Sequence, residues 1–292
     1  MIPKEVLKKI RRIHITTSRM VSDVFSGQYQ SVFKGRGMEF DEVREYLPGD
    51  EIRSIDWNVT ARMGHPYIKK YVEERELTVM LVLDASMSAR FGTTQQLKSQ
   101  IAAELCSVLA FSAISNNDRV GLIIFTDTVE KFVPPRKGVR HVLRVIREAL
   151  YFEPQHKGTN IAGALEYLNR VSKRRTITFL ISDFFDAGFK HRLSITNKRH
   201  DVVAVAITDP AELSLVPVGL IRFYDPEANE YFGIDTGNQR IRREYTENAQ
   251  KRIEERNKLL RSVGVDMIDV HTDKDYAKEL LKFFKKRERR LA

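Results

Sequence analysis

The chain has 292 residues, 42% of them apolar and 30% charged, with 15 glycines and 9 prolines, the composition of an ordinary globular protein. Disordered, collagen-like and disulfide-stapled classes are excluded, and the length allows one large domain or two unequal ones. The net charge of +10 gathers at the ends: residues 1–12 and 282–292 are strongly basic, and the body between them is nearly neutral.

Residues 4–25 place Val6, Leu7, Ile10, Ile13, Met20, Val21 and Val24 on one stripe, which predicts an amphipathic N-terminal helix within a segment 1–27. It contains no uninterrupted signal-peptide core, and no stretch of the chain reaches the length of a membrane span. From residue 28 to 76 short aromatic and β-branched pieces alternate with Gly35, Gly37, Pro48-Gly49, Gly64 and Pro66, the texture of a small β-rich module.

At residue 77 the texture changes. Leu77 to Leu83 is a continuous apolar run that stops at Asp84, as a strand buried on both faces would. A helical face follows (Leu97, Ile101, Leu105, Val108, Leu109), then a second run, Val120–Phe125, and an edge hairpin over Thr126–Val133. Helical patterns at 139–150 and 161–171 precede a third run at Thr176–Ile181 and a fourth at Val202–Ile207. An inserted hairpin is read between 218 and 237, a helix at 240–262, a fifth central strand at Val265–Val270 and a closing helix at 276–290. Strand–helix alternation of this kind gives an α/β fold with a mostly parallel sheet and helices on both faces, spanning 77–292. The single cysteine, Cys106, sits inside an apolar helix pattern and reads as core; with no disulfide to form, a cytoplasmic location is expected.

In such sheets ligands collect at the carboxyl ends of the strands. The polar residues there are Asp84-Ala85-Ser86-Met87-Ser88 after the first run, Gly158-Thr159-Asn160 before a helix, and Ser182-Asp183 after the third run. Their carboxylates and hydroxyls are hard oxygen donors, suited to Mg2+ or Mn2+ and poorly suited to zinc. The arrangement resembles the metal-ion-dependent adhesion site (MIDAS) of von Willebrand factor A domains. That resemblance implies Ser86, Ser88 and Thr159 as direct ligands, with Asp84 and Asp183 acting largely through bound water. An ion so sparsely neutralised stays electrophilic and can accept a carboxylate from another protein.

A second resemblance covers most of the chain. Phe33–Tyr46, Pro48-Gly49-Asp50, Arg53–Arg62 and Ile268–Asp273 are similar to the signature of a bacterial family, domain of unknown function fifty-eight. Its members join such a module to a von Willebrand A-like domain and are typically encoded beside MoxR-type AAA+ ATPases. The resemblance implies a non-enzymatic adaptor or co-chaperone of such an ATPase, or of another protein with an exposed Asp or Glu. Many relatives begin with transmembrane segments; none is read here. Within the signature, the Arg residues beside Asp50 and Asp56 read as ion pairs and turn caps, and Trp57 as a core or docking anchor.

Other chemistries are weaker. No Gly-x-x-x-x-Gly-Lys-Ser/Thr occurs, Ser86 lacks a Gly-x-Ser-x-Gly elbow, and the seven histidines show no paired ligand spacing. Two alternatives stay open: a metal-dependent phosphohydrolase at the same five residues, and an anionic-surface binder acting through the basic tails, with peripheral membrane contact. Nucleic acid is not an expected partner.

Overall fold

In the computed structural model, which describes residues 39–72, 76–94, 96–225 and 230–291, the chain divides into two compact units, Phe33–Leu77 and a larger one that includes Thr78–Ala292. The helix expected at 4–25 and the first part of the signature lie outside the described residues.

The smaller unit pairs β1 (Glu39–Glu45) with β2 (Tyr67–Val72) in antiparallel register. Between them runs a short helix, α1 (Trp57–Met63), which the expectation of a β-rich module did not contain. Local chemistry explains it. The Asp56 carboxylate accepts hydrogen bonds from the backbone N–H groups of Asn58 and Val59, and Gly64 ends the helix at φ +77°, a conformation glycine adopts without a Cβ clash. Arg44 forks onto Asp50 at 2.7 and 2.9 Å, and Asp50 also accepts from the Leu47 N–H, so these signature residues hold a turn. Trp57 stands exposed on α1 and is not a core residue.

The larger unit is built on a six-stranded sheet. Its strands are β3 (Thr78–Asp84), β4 (Arg119–Phe125), β5 (Val129–Arg136), β6 (Ile177–Ser182), β7 (Asp201–Thr208) and β10 (Asp266–His271), in the order β10-β7-β6-β3-β4-β5. All pairings are parallel except β4–β5 at one edge. The central strands are apolar along their whole length because both faces are covered: Val79 to Leu83 and every residue of β6 are buried. The strand expected to be the fifth central one, β10, lies instead at the other edge. Its Asp269 alternates with buried Ile268 and Val270, Asp266 stands at its first position, and the two carboxylates pair with Arg256 and Arg290 respectively.

After β3 the chain moves towards β4, whereas after β6 it moves the opposite way, towards β7. Right-handed crossovers therefore send the intervening helices to opposite faces. On one face α2 (Lys98–Ser115) packs against α3 (Val139–Tyr151). On the other, α4 (Ile161–Val171), α5 (Lys190–Arg199) and α7 (Gln239–Ser262) contribute Ile161, Leu165, Leu168, Leu193 and Leu260 to a core with Met80, Val82, Ile123, Phe125 and Leu180. The helix α8 (Tyr276–Leu291) closes the chain beside β10. A short α6 (Pro210–Leu213) follows β7, and the inserted hairpin forms a separate pair, β8 (Leu220–Asp225) with β9 (Glu230–Asp235).

Close packing is tightest where Met80 crosses Gly121 on the neighbouring strand. A Cβ at Gly121 would stand 2.6 Å from the Met80 sulfur and 3.1 Å from the Pro135 backbone nitrogen. Gly121→Ala is expected to cost about 1–3 kcal/mol of stability through overpacking, read as a lowered denaturant midpoint with an unchanged slope.

Candidate metal centre

The strand order reverses between β3 and β6, so the crevice beyond their carboxyl ends is the one place at this rim where neighbouring loops diverge to opposite faces. Asp84 ends β3, Ser182 ends β6, and Asp183 follows it directly. All three are buried.

From Asp84 the loop folds back on itself. Asp84 Oδ1 accepts from the Ser86 N–H at 2.9 Å, and Oδ2 accepts from the Ser182 hydroxyl at 2.6 Å. The two carboxylate oxygens are thus already engaged, and Asp84 orients the loop from behind. The Ser86 and Ser88 hydroxyl oxygens come within 2.9 Å of each other. Two cis ligands of an octahedral Mg2+ at its normal bond length are also separated by about 3 Å, so this pair fits an ion of that size. The loop carrying Thr159 is stitched to the serine loop by a hydrogen bond from Met87 N–H to the Lys157 carbonyl at 3.0 Å. Thr159 is half-buried, and its hydroxyl has no hydrogen-bond partner among the described residues. Asn160 caps α4 through the Gly163 N–H, and the first N–H of α4, on Ile161, is taken by Asp186 from the loop after β6. The three sequence segments therefore form one connected rim.

Asp183 departs from the expectation. Its Oδ1 accepts from the Phe185 N–H at 3.1 Å, and its Oδ2 is held at 2.8 Å by the ammonium of Lys98, a residue that sequence reasoning passed over. Lys98 is fully buried at the first position of α2 and makes a second ion pair, at 2.5 Å, with Glu212 on α6. Glu212 is oriented in turn: its other oxygen accepts from the Asp209 N–H, closing a capping box whose Asp209 is held by Thr93 and Thr272. Two signals for this cluster were in the sequence. A lysine opening a helix opposes the macrodipole, and Asp209-Pro210-Ala211-Glu212 after a buried strand is a capping-box pattern.

The electrostatics follow from burial. Burial first, and the charge of Asp183 second, push the Asp84 carboxyl up to about 6. Burial would lower the Lys98 ammonium, but Asp183 and Glu212 outweigh it and raise it above the usual lysine value. Glu212 is raised, chiefly by burial, against the opposing pull of Lys98. Immediately after Asp183, Phe184 adopts φ +62°, a left-handed conformation that costs a bulky residue about 1–2 kcal/mol. Such strain concentrates at sites whose geometry is over-determined by their surroundings. Among the described residues no three His, Cys, Asp or Glu side chains are arranged to hold an ion, so a metal at this rim would depend on the hydroxyls.

The chain matches the model of one family, described as protein of unknown function DUF58, over residues 42–255. Uncharacterized proteins of Mycobacterium tuberculosis and Mycobacterium bovis are each 28% identical to it over 285 residues, covering 96% of this chain and 89% of theirs. Among solved structures, an aerotolerance-related membrane protein from Bacteroides fragilis aligns with a TM-score of 0.48 at 16% identity, over 73% of this chain and 99% of that one. The conserved hypothetical protein BatB from Bacteroides thetaiotaomicron aligns with a TM-score of 0.45 at the same identity and coverage.

The raised Asp84 carboxyl has a measurable consequence. Its folded-state pKa lies above the unfolded value, so ionised Asp84 costs the metal-free native state about 3 kcal/mol at pH 7, and the cost fades as pH falls below about 6. Asp84→Asn should therefore stabilise the protein in EDTA by about 1–3 kcal/mol at pH 7, and the gain should shrink towards pH 5. Thermal denaturation of both proteins across that range checks the sign; a loss of stability at pH 7 would contradict it.

Proposed function

The chain belongs to the DUF58 family, and on that footing we propose that its larger unit is a von Willebrand factor A-like module that binds another protein through a divalent metal ion. The observation that carries this reading is the rim itself: two serine hydroxyls 2.9 Å apart, backed by a buried aspartate, at the point where the strand order reverses.

In this reading Ser86, Ser88 and Thr159 would hold Mg2+ or Mn2+ directly, with Asp84 and Asp183 reached through its bound water. The ion supplies an electrophilic position for a carboxylate of the partner. The chain's own contribution is geometric. Asp84 fixes the Ser86 backbone and Ser182, the Met87–Lys157 hydrogen bond sets the Thr159 loop beside the serines, and the Lys98 pair withholds one Asp183 oxygen. We take the role to be that of an adaptor or co-chaperone rather than an enzyme, with a MoxR-type AAA+ ATPase as the partner implied by the family resemblance.

The anionic-surface reading keeps one specific feature. On α8, Lys278, Lys282, Lys285, Lys286, Arg289 and Arg290 line a single open groove with Leu281. An acidic partner surface would meet it as readily as a lipid headgroup. No described helix is long and apolar enough to cross a membrane.

Calorimetric titration with Mg2+ and Mn2+, on wild type and on Ser86→Ala/Ser88→Ala, tests the proposal. Wild type should bind one ion and the double variant none, and capture of a MoxR-type AAA+ ATPase should be lost in EDTA. Equal partner capture by both proteins, with and without EDTA, would overturn it.

A further inference from the structure

A buried lysine at the start of a long helix is an expensive choice. The N-terminus of α2 carries partial positive charge, and an anion is the group that this position favours. Lys98 is nevertheless almost wholly buried there, with its ammonium between Asp183 at 2.8 Å and Glu212 at 2.5 Å and flanked by the rings of Phe91 and Phe185 at 5.9 and 5.8 Å. The cavity next to it is lined by Asp84, Ser182 and Asp183, so the ammonium borders the same small space as both rim aspartates. Two arginines lie further out: Arg256 hydrogen-bonds Asp269 and Thr208 while also feeling Asp183 and Glu212, and Arg252 stacks on the Phe185 ring, so Lys98 alone makes the direct ion pair.

The charges at the rim can be counted. Asp84 and Asp183 bring two buried negative charges to the crevice, Glu212 adds a third beyond Lys98, and Lys98 is the cation in direct contact with both Asp183 and Glu212, with Arg256 a more distant positive charge. A divalent ion held by hydroxyls a few ångströms away experiences this sum, because buried charges are weakly screened.

We propose that Lys98 is a built-in counter-cation that sets the affinity of the metal centre: by neutralising Asp183 it keeps the ion weakly held and electrophilic, ready for a carboxylate from outside. The inference rests on the metal-dependent reading above. Lys98 acts through Asp183 and Glu212 and is a positioning residue, not a ligand. Glu212 has the complementary role, sharing the ammonium so that its charge is not spent wholly on the rim.

A purely structural pair would behave differently. Lys98→Met and Glu212→Gln disrupt the same ion pair, and a structural lock would be weakened in the same direction by both. An electrostatic setting requires opposite directions. Mn2+ titration by calorimetry should show Lys98→Met binding at least about tenfold more tightly than wild type, the scale of one unit charge near a divalent ion at an effective dielectric of about 20. Glu212→Gln should bind several-fold more weakly, and the double variant should lie near wild type. The metal-induced rise in melting temperature should follow the same order.

Equal affinities in wild type, Lys98→Met and Glu212→Gln would overturn the inference while leaving the metal reading intact, provided Ser86→Ala/Ser88→Ala abolishes binding. Should Lys98→Met fail to fold, Glu212→Gln alone decides: unchanged or tighter Mn2+ binding overturns the proposal. Absence of Mn2+ binding in wild type and every variant would overturn both the inference and the reading beneath it.

Discussion

The pairing of β3 with β6 is the constraint on which the rest of the structure depends. Both are buried on both faces, and their parallel register brings the ends of two chain segments a hundred residues apart to the same rim. Because the chain leaves β3 in one direction along the sheet and β6 in the other, helices cannot cover the gap beyond them. What lies in that gap is polar by necessity, since the strand ends expose backbone groups that loops and side chains must satisfy. Asp84 does this for the Ser86 N–H, Ser182 for the Phe184 N–H, and Asp183 for the Phe185 N–H.

Those same satisfied groups carry an electrostatic cost. Three carboxylates near one crevice repel, and burial deprives each of water. Lys98 relieves part of this, but a buried ion pair is a poor source of net stability, because desolvating both partners offsets much of their attraction. Hydrophobic residues of similar volume would serve the fold as well or better. The strained φ of Phe184 adds to the same side of the balance. The apolar layers on both faces of the sheet make such a rim tolerable, since they stabilise the fold without drawing on it.

Most of the fold was legible because parallel strands covered on both faces leave uninterrupted apolar runs, and four such runs mark β3, β4, β6 and β7 with little ambiguity. Where covering is one-sided the signal thins. The edge strand β10 was read as central because Met267-Ile268 and Val270 resemble a short buried run, although Asp266, Asp269 and His271 interrupt it. The helix α5 escaped notice since only Leu193 and Thr196 of its ten residues are buried. At the rim, Asp84, Ser86, Ser88 and Asp183 could be singled out by their place after buried runs. Lys98 was harder to read: its place at a helix start and the capping box at Asp209–Glu212 are each visible, but nothing in the sequence joins them to Asp183, and the partners meet it from 85 and 114 residues away. Charged residues are usually solvated, and the three-dimensional pairing is what shows this one to be buried.

A single carboxylate reaching an ion buries little surface, whereas a specific interface generally covers about 800 Å2 on each partner. Contact beyond the ion is therefore needed, and the chain supplies apolar area close by in sequence. One residue past Glu212 the insertion leaves α6, and Val216, Val218, Leu220, Tyr231 and Phe232 are all exposed along it. Tyr231 and Phe232 are consecutive in β9 and face opposite sides of the hairpin, so apolar area is exposed on both of its faces. Selectivity and area would then come from different groups. In the proposed reading the rim would discriminate for an acidic side chain through charge, and the insertion would provide burial that does not depend on the ion. A partner retaining weak affinity in EDTA would be engaging the second without the first. Such a division would also fit the proposed loose hold on the ion: with apolar contact contributing to the interface, the metal contact need not be strong, and its release would uncouple recognition from docking.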